Sequence, residues 1–176
     1  MTTQGLRSTA LALSLSLTSL FATQAEAAVD SLQLIPRPVS VTYGTGTLRL
    51  PRTLRLSAGA PASLSDGLKK QSFTTTAAKG RMKGLITTRL DASVPGLEGY
   101  RLEIGKQGIT LTARDEAGLR QGTQSLPQIT QQYGGALPYL PITDSARLAY
   151  RGVMLDVSRH FLNRDMIIRL LDDMAR

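Results

Sequence analysis

The sequence contains no cysteine, no tryptophan and a single histidine, His160. The first absence excludes disulfides, thiolate nucleophiles and cysteine-ligated metals, so the fold must rest on its apolar core. The second removes the residue most used for stacking on sugars, and Tyr43, Tyr100, Tyr133, Tyr139 and Tyr150 are too dispersed to form a stacking platform. One histidine cannot build a multi-histidine metal centre. No metal site and no cofactor is therefore expected. Long apolar runs are also missing: the longest, residues 11–22, is short for a bilayer span. With no second arginine beside Arg7 and no cysteine for a lipid, neither a twin-arginine signal nor a membrane anchor is expected.

What stands at the N-terminus is ordered like a secretory signal. Arg7 precedes the apolar run, and Ala25-Glu26-Ala27 supplies small residues at a cleavage site, so residues 1–27 are expected to be removed before Ala28. The product is expected to be exported, periplasmic or extracellular. Removing one charge of each sign, Arg7 and Glu26, leaves the net charge of +8 unchanged. Such an excess attracts anionic polymers. Yet Arg37, Arg49, Arg52, Arg55, Lys69, Lys70, Lys79, Arg81, Lys83 and Arg89 form no dense run, and aromatics for base stacking are few. A solvated basic surface is the reading preferred to nucleic-acid binding.

The pattern from residue 32 onward is that of a globular α+β domain. Prolines 36 and 38 hold the entry extended. Val39, Val41 and Tyr43 alternate with polar residues, and the alternation resumes at Leu48 and Leu50 after a Gly44-Thr45-Gly46 turn, which predicts a strand and its return. That glycine pair is followed by strand pattern, which excludes a phosphate cradle. Leu54 and Leu56 predict another strand. Residues 63–80 permit a helix that threonines 74–76 would fray, and residues 85–90 are again strand-like. Residues 91–99 read as a loop.

Tyr100, Leu102 and Ile104, then Ile109, Leu111 and Ala113, form a hairpin with one apolar face. Asp115 caps a helix carrying Leu119, Leu126 and Ile129, which Pro127 is expected to kink or end early. Residues 134–141 read as a linker of glycines and prolines. The layer predicted is an antiparallel sheet with helices on one face.

Residues 153–157 form a short, nearly continuous apolar run that suits a strand covered on both faces. Asn163 then offers a cap, Asp165 suits the first turn, and Met166, Ile167, Leu170, Leu171 and Met174 share a helical face. In this last unit the run Arg151-Gly152, Val153-Met154, Leu155-Asp156, Val157-Ser158, Arg159-His160-Phe161 resembles the first barrel strand of the family 20 glycoside hydrolases, the β-N-acetylhexosaminidases. The Leu34-Ile35-Pro36 opening, the strand at residues 99–104, the strand at residues 109–111, and residues 113–118 leading to Gln124-Ser125-Leu126 resemble the same family's N-terminal domain.

The resemblance implies a hexosaminidase-like α+β domain at residues 28–148 and the start of a (β/α)8 catalytic domain at residues 149–176. A full barrel needs about 200 residues or more, so the barrel in this chain is expected to be incomplete. It implies an activity on terminal β-linked N-acetylhexosamine, in chitin-type oligosaccharides or glycoconjugates, by substrate-assisted retention. The acetamido oxygen attacks the anomeric carbon, an aspartate orients it and the adjacent glutamate protonates the leaving oxygen. That Asp-Glu pair comes from a later barrel strand, so no catalytic residue is assigned in this chain, which is expected to be inactive as it stands.

Arg151 is the candidate substrate-binding residue. Its guanidinium is a fixed fork of donors, and in the family the arginine of this pair contacts hydroxyls of the sugar at the cleavage site. Its place at the start of the strand leaves a structural ion pair as the other reading. Asp156 is expected to hold Arg159 or a loop amide from a buried position, His160 to be packed or hydrogen-bonded, and Asp172-Asp173 to be solvated. The unpartnered strand and helix are expected to expose an edge and an apolar patch. The alternative function is a secreted, non-catalytic module binding amino-sugar or anionic envelope polymers.

Overall fold

The computed structural model describes residues 32–78 and 84–174. The expected signal peptide lies outside the described residues, as do Lys79, Arg81 and Lys83. Nine strands and three helices follow one another among the described residues: β1 Ser40–Val41, β2 Thr47–Arg49, β3 Thr53–Leu56, α1 Ala62–Lys70, β4 Thr74–Ala77, β5 Ile86–Leu90, β6 Tyr100–Gly105, β7 Gly108–Ala113, α2 Glu116–Tyr133, β8 Ala136–Pro138, β9 Leu140–Asp144 and α3 Arg164–Met174. Seven strands form one sheet in the order β1-β9-β6-β7-β5-β3-β4, and β2 pairs with β8 apart from it.

The class is α+β, and the sheet is mixed where an antiparallel one was expected. Strands β1, β9, β6 and β7 are antiparallel neighbours, whereas β7, β5, β3 and β4 run parallel. At the β4 edge the difference arises because α1 closes early. Ser72 takes a positive φ of 66° and turns the chain, so the threonines at 74–76, expected to fray a helix, instead pair in parallel with β3. Threonine suits this conformation because its branched side chain fits a pleated surface better than a helix turn.

Alternation decides the core. Leu54, Leu56, Ile86, Leu102, Ile104, Ile109, Leu111, Leu140 and Ile142 point to one face, where Leu64 and Leu68 of α1 and Leu119, Leu126 and Ile129 of α2 cover them. Asp115 starts α2 as foreseen, its carboxylate accepting from the Gly118 amide at 2.8 Å. Helix α2 lies close to the sheet because Gly122 has no side chain: a Cβ there would meet Leu111 Cδ1 at 2.4 Å.

Two expectations about the chain's path fail for one reason. Strand β1 does not return onto β2; β2 pairs instead with β8, inside the segment read as a linker, and β1 with β9, which begins in that segment and runs past it. Pro141 is tolerated in β9 because a residue's amide and carbonyl point to the same neighbour in an antiparallel pair. Its carbonyl accepts from Thr42 N at 3.1 Å, so the missing donor falls on the side of the two-residue β1, where little pairing is lost.

Residues 153–157, expected as a strand, form none. A strand requires a neighbouring backbone, and among the described residues this stretch has no strand partner. Asn163 does cap α3, accepting from Met166 N at 2.9 Å, yet α3 buries none of its residues. Met154 is 93% and Phe161 87% exposed, so the predicted apolar patch is present.

Candidate functional site

The chain leaves β9 along the loop that precedes β6 and touches it at three successive places. Gly96 faces Ser145, the Leu97 carbonyl accepts from Ala146 N at 2.8 Å, and the Glu98 carboxylate accepts from Arg151 Nη2 at 2.5 Å. Beside these contacts lies a cavity of about 160 Å³ lined by Arg37, Glu98, Tyr100, Gln121, Asp144, Ser145, Arg147 and Arg151, among others. Arg151, the sequence-predicted substrate-binding residue, thus lines this cavity.

Each carboxylate in the cavity is held by donors. Glu98 Oε2 also accepts from Gln121 Nε2 at 3.3 Å, and Asp144 Oδ1 accepts from Val39 N at 3.2 Å and Ser145 N at 2.9 Å. At the inner wall the Tyr100 hydroxyl lies 2.7 Å from Ser125 Oγ. Burial pushes the Tyr100 phenol well above its usual range; the Ser125 hydrogen bond works against that shift and nearby Asp144 adds to it. The phenol stays protonated and offers a fixed donor or acceptor, not a base. Such a lining, guanidinium forks beside oriented carboxylates, suits polyhydroxylated or mixed-charge ligands.

The other candidates do not join this cavity. Asp156 is exposed rather than buried, because the strand meant to enclose it is not formed. Its Oδ1 accepts from Ser158 N at 3.0 Å and Arg159 N at 3.2 Å, and its Oδ2 stands 3.4 Å from Arg159 Nη1. It therefore holds both partners foreseen for it, at a local turn. His160 is exposed and Asp172 and Asp173 lie on exposed positions of α3. Among the described residues no three His, Cys, Asp or Glu side chains gather as a metal site, and no helix is long and apolar enough to cross a membrane. Sequence reasoning missed Glu98, Gln121 and Asp144. Residues 91–99 carried only loop signals, and nothing in their spacing pointed 53 residues ahead to Arg151.

Residues 31–145 match the model of "Glycosyl hydrolase family 20, domain 2", and residues 148–176 match that of "Glycosyl hydrolase family 20, catalytic domain". The chain belongs to glycosyl hydrolase family 20. Within that family it is similar to a β-hexosaminidase of Vibrio vulnificus, 29% identical over 147 residues, which are 82% of this chain and 17% of the relative. Among solved structures it resembles the β-N-acetylhexosaminidase of Bacteroides fragilis, with a TM-score of 0.66 and 27% identity over 80% of this chain and 30% of that one. A Streptomyces plicatus β-hexosaminidase mutant in complex with its product GlcNAc gives a TM-score of 0.61 and 33% identity, covering 78% and 31%. The chain thus spans less than a third of the length of each of these family 20 proteins.

Proposed function

We propose that this chain is the N-terminal part of an exported β-N-acetylhexosaminidase. The observation that carries the reading is the succession of the two family 20 matches, the second domain running to residue 145 and the catalytic domain resuming at residue 148, with Arg151 just past the joint and lining a cavity. The substrate class is terminal β-linked N-acetylhexosamine, in chitin-type oligosaccharides or glycoconjugates. Hydrolysis proceeds by substrate-assisted retention: the acetamido oxygen attacks the anomeric carbon as a glutamate delivers its proton to the leaving oxygen, and water then opens the cyclic intermediate. The Asp-Glu pair for these steps belongs to a later barrel strand that this chain does not contain.

The part assigned to this chain is binding. Arg151 offers paired N–H donors to adjacent sugar hydroxyls, a geometry that the single ammonium of lysine cannot copy. Glu98 engages one nitrogen of the fork, and the other donors remain for hydroxyls.

Two measurements test the reading. Reading the DNA past the Arg176 codon is expected to show the frame continuing through further barrel strands with an Asp-Glu pair at a strand end. A stop codon there would turn the assignment toward a non-catalytic module that binds amino-sugar or anionic envelope polymers. The purified chain itself is expected to release no aglycone from an aryl N-acetyl-β-glucosaminide, and release above the buffer rate would overturn the placement of the catalytic pair outside it.

A further inference from the structure

We propose that Glu98, a residue of the α+β domain, is a positioning residue that orients Arg151 of the catalytic segment. The inference rests on the assignment of Arg151 as a sugar contact.

The case starts with how firmly Glu98 is held. Its φ of 51° places a non-glycine residue in the left-handed region, which a loop maintains only when its surroundings dictate it. The surroundings are the first turns of α2. A Cβ on Gly118 would meet the Gly99 carbonyl oxygen at 2.5 Å and that of Glu98 at 2.8 Å, so the absent side chain lets the loop backbone press onto the helix. Arg114 N donates to the Gly99 carbonyl at 2.8 Å from the other side. The carboxylate itself is held by Gln121, one helical turn beyond Gly118. Helix, loop and carboxylate therefore move as one body.

Arg151 is the less constrained partner. Its side chain is 47% exposed against 22% for Glu98, its own segment has no strand partner, and its bond to Glu98 is its one hydrogen bond among the described residues. A flexible arginine held by a rigid carboxylate is turned by it, not the reverse. The Gly96 and Leu97 contacts with Ser145 and Ala146 bring the chain past the same loop, so the ion pair is the last of three successive contacts and the one that joins two charged side chains. The contact is a single one, Nη2 to Oε2, and it anchors that nitrogen so that the remaining donors of the fork sweep a narrower range, which favours recognition of two hydroxyls.

Glu98→Gln keeps the shape and the acceptor oxygen that Gln121 and Arg151 share, but removes the charge, so the Arg151 contact loses its ion-pair strength. In this chain, trypsin cleavage after Arg151 is expected to accelerate on the order of tenfold as the local contact opens, with cleavage after Arg169 on α3 unchanged. In the protein translated from its whole reading frame, the same variant is expected to lower kcat/KM for an aryl N-acetyl-β-glucosaminide by about 10- to 100-fold, the scale on which misplacement acts. Arg151→Lys, which keeps a trypsin site and a cation for Glu98 but lacks the fork, is expected to remain protected from trypsin and to leave kcat/KM low. An unchanged trypsin rate in Glu98→Gln would overturn the contact. A faster trypsin rate with unaltered kcat/KM would reduce Glu98 to a tether and overturn positioning. If Arg151→Ala leaves kcat/KM unaltered, the sugar-contact assignment fails and positioning with it, whereas the trypsin result still reads the ion pair itself.

Discussion

The ring of Pro127 in α2 fills the space that a side chain on Gly67 in α1 would need: a Cβ at position 67 would stand 2.6 Å from Pro127 Cγ. The two helices meet at this point. A proline ring has no flexible end to swing aside, so Gly67→Ala must separate the helices. The strain of overpacking, about 1–3 kcal/mol, outweighs the roughly 1 kcal/mol that alanine gains over glycine inside a helix. The variant is expected to be destabilised in urea unfolding, and Gly67→Ala combined with Pro127→Ala to lose less than the sum of the single changes. Additive losses would show that the contact carries no energy.

The same pair explains why α2 does not end at its proline. Pro127 predicts a kink or an early end, and the early end is not what forms: α2 continues to Tyr133. The missing amide costs one hydrogen bond, but the ring docks on α1 and Ile129 and Thr130 beyond it are buried, so packing outweighs propensity. The α2 cap, the 100–113 hairpin and the apolar face of α2 were legible because each is written in local spacing. The pairing of β1 with β9 was not, because it joins residues about a hundred positions apart and Pro138, Pro141 and two glycines disguise the strand. Arg151 was legible by its motif, whereas Glu98 has no local signature and becomes visible only when the chain returns to it.

Tyr100 and Ser125 join β6 to α2 through a buried hydrogen bond of 2.7 Å. Tyr100→Phe strands the Ser125 hydroxyl and is expected to cost about 1–3 kcal/mol. The pH dependence has a definite sign. The folded phenol ionises well above its ordinary value of 10.0, while the unfolded one ionises near it. This contribution is therefore complete below about pH 10 and declines as pH rises beyond, since the unfolded state releases its proton first. Wild-type stability is expected to fall more steeply above pH 10 than that of Tyr100→Phe. Parallel curves from chemical denaturation would contradict the assignment.

Asp91 lies at the end of β5, where its Oδ1 accepts from Ser93 Oγ at 2.6 Å and from Ser93 N at 2.9 Å. These bonds hold the carboxyl below its ordinary value of 3.8, the serine hydroxyl contributing most. What Asp91 adds to stability is present above that ordinary value and lost as pH falls through the lower, folded one. Ser93→Ala removes the hydroxyl and keeps the amide. Carboxyl carbon NMR titration is expected to show the Asp91 midpoint rise toward its ordinary value in the variant, without reaching it.

Two truncations separate the sheet from the exposed segment beyond it. Ending the chain after residue 139 deletes β9, which stands between β1 and β6 and buries Leu140 and Ile142 completely. Each such side chain is worth about 2–5 kcal/mol when removed from a core. Together with the ladder to β6, their loss rivals the whole stability of an ordinary domain, about 5–15 kcal/mol. This chain is expected to be unfolded by circular dichroism. Ending it after residue 148 instead removes a segment with no buried residue among those described and many exposed apolar ones, including Met154 and Phe161. That chain is expected to keep its melting temperature, bind less of a hydrophobic dye and self-associate less, because the segment contributes exposed apolar surface and, to the sheet domain, the partly exposed Arg151–Glu98 ion pair, a contact of small worth. A fall in melting temperature as large as that of the shorter chain would mean that residues 149–174 stabilise the sheet, against their exposure.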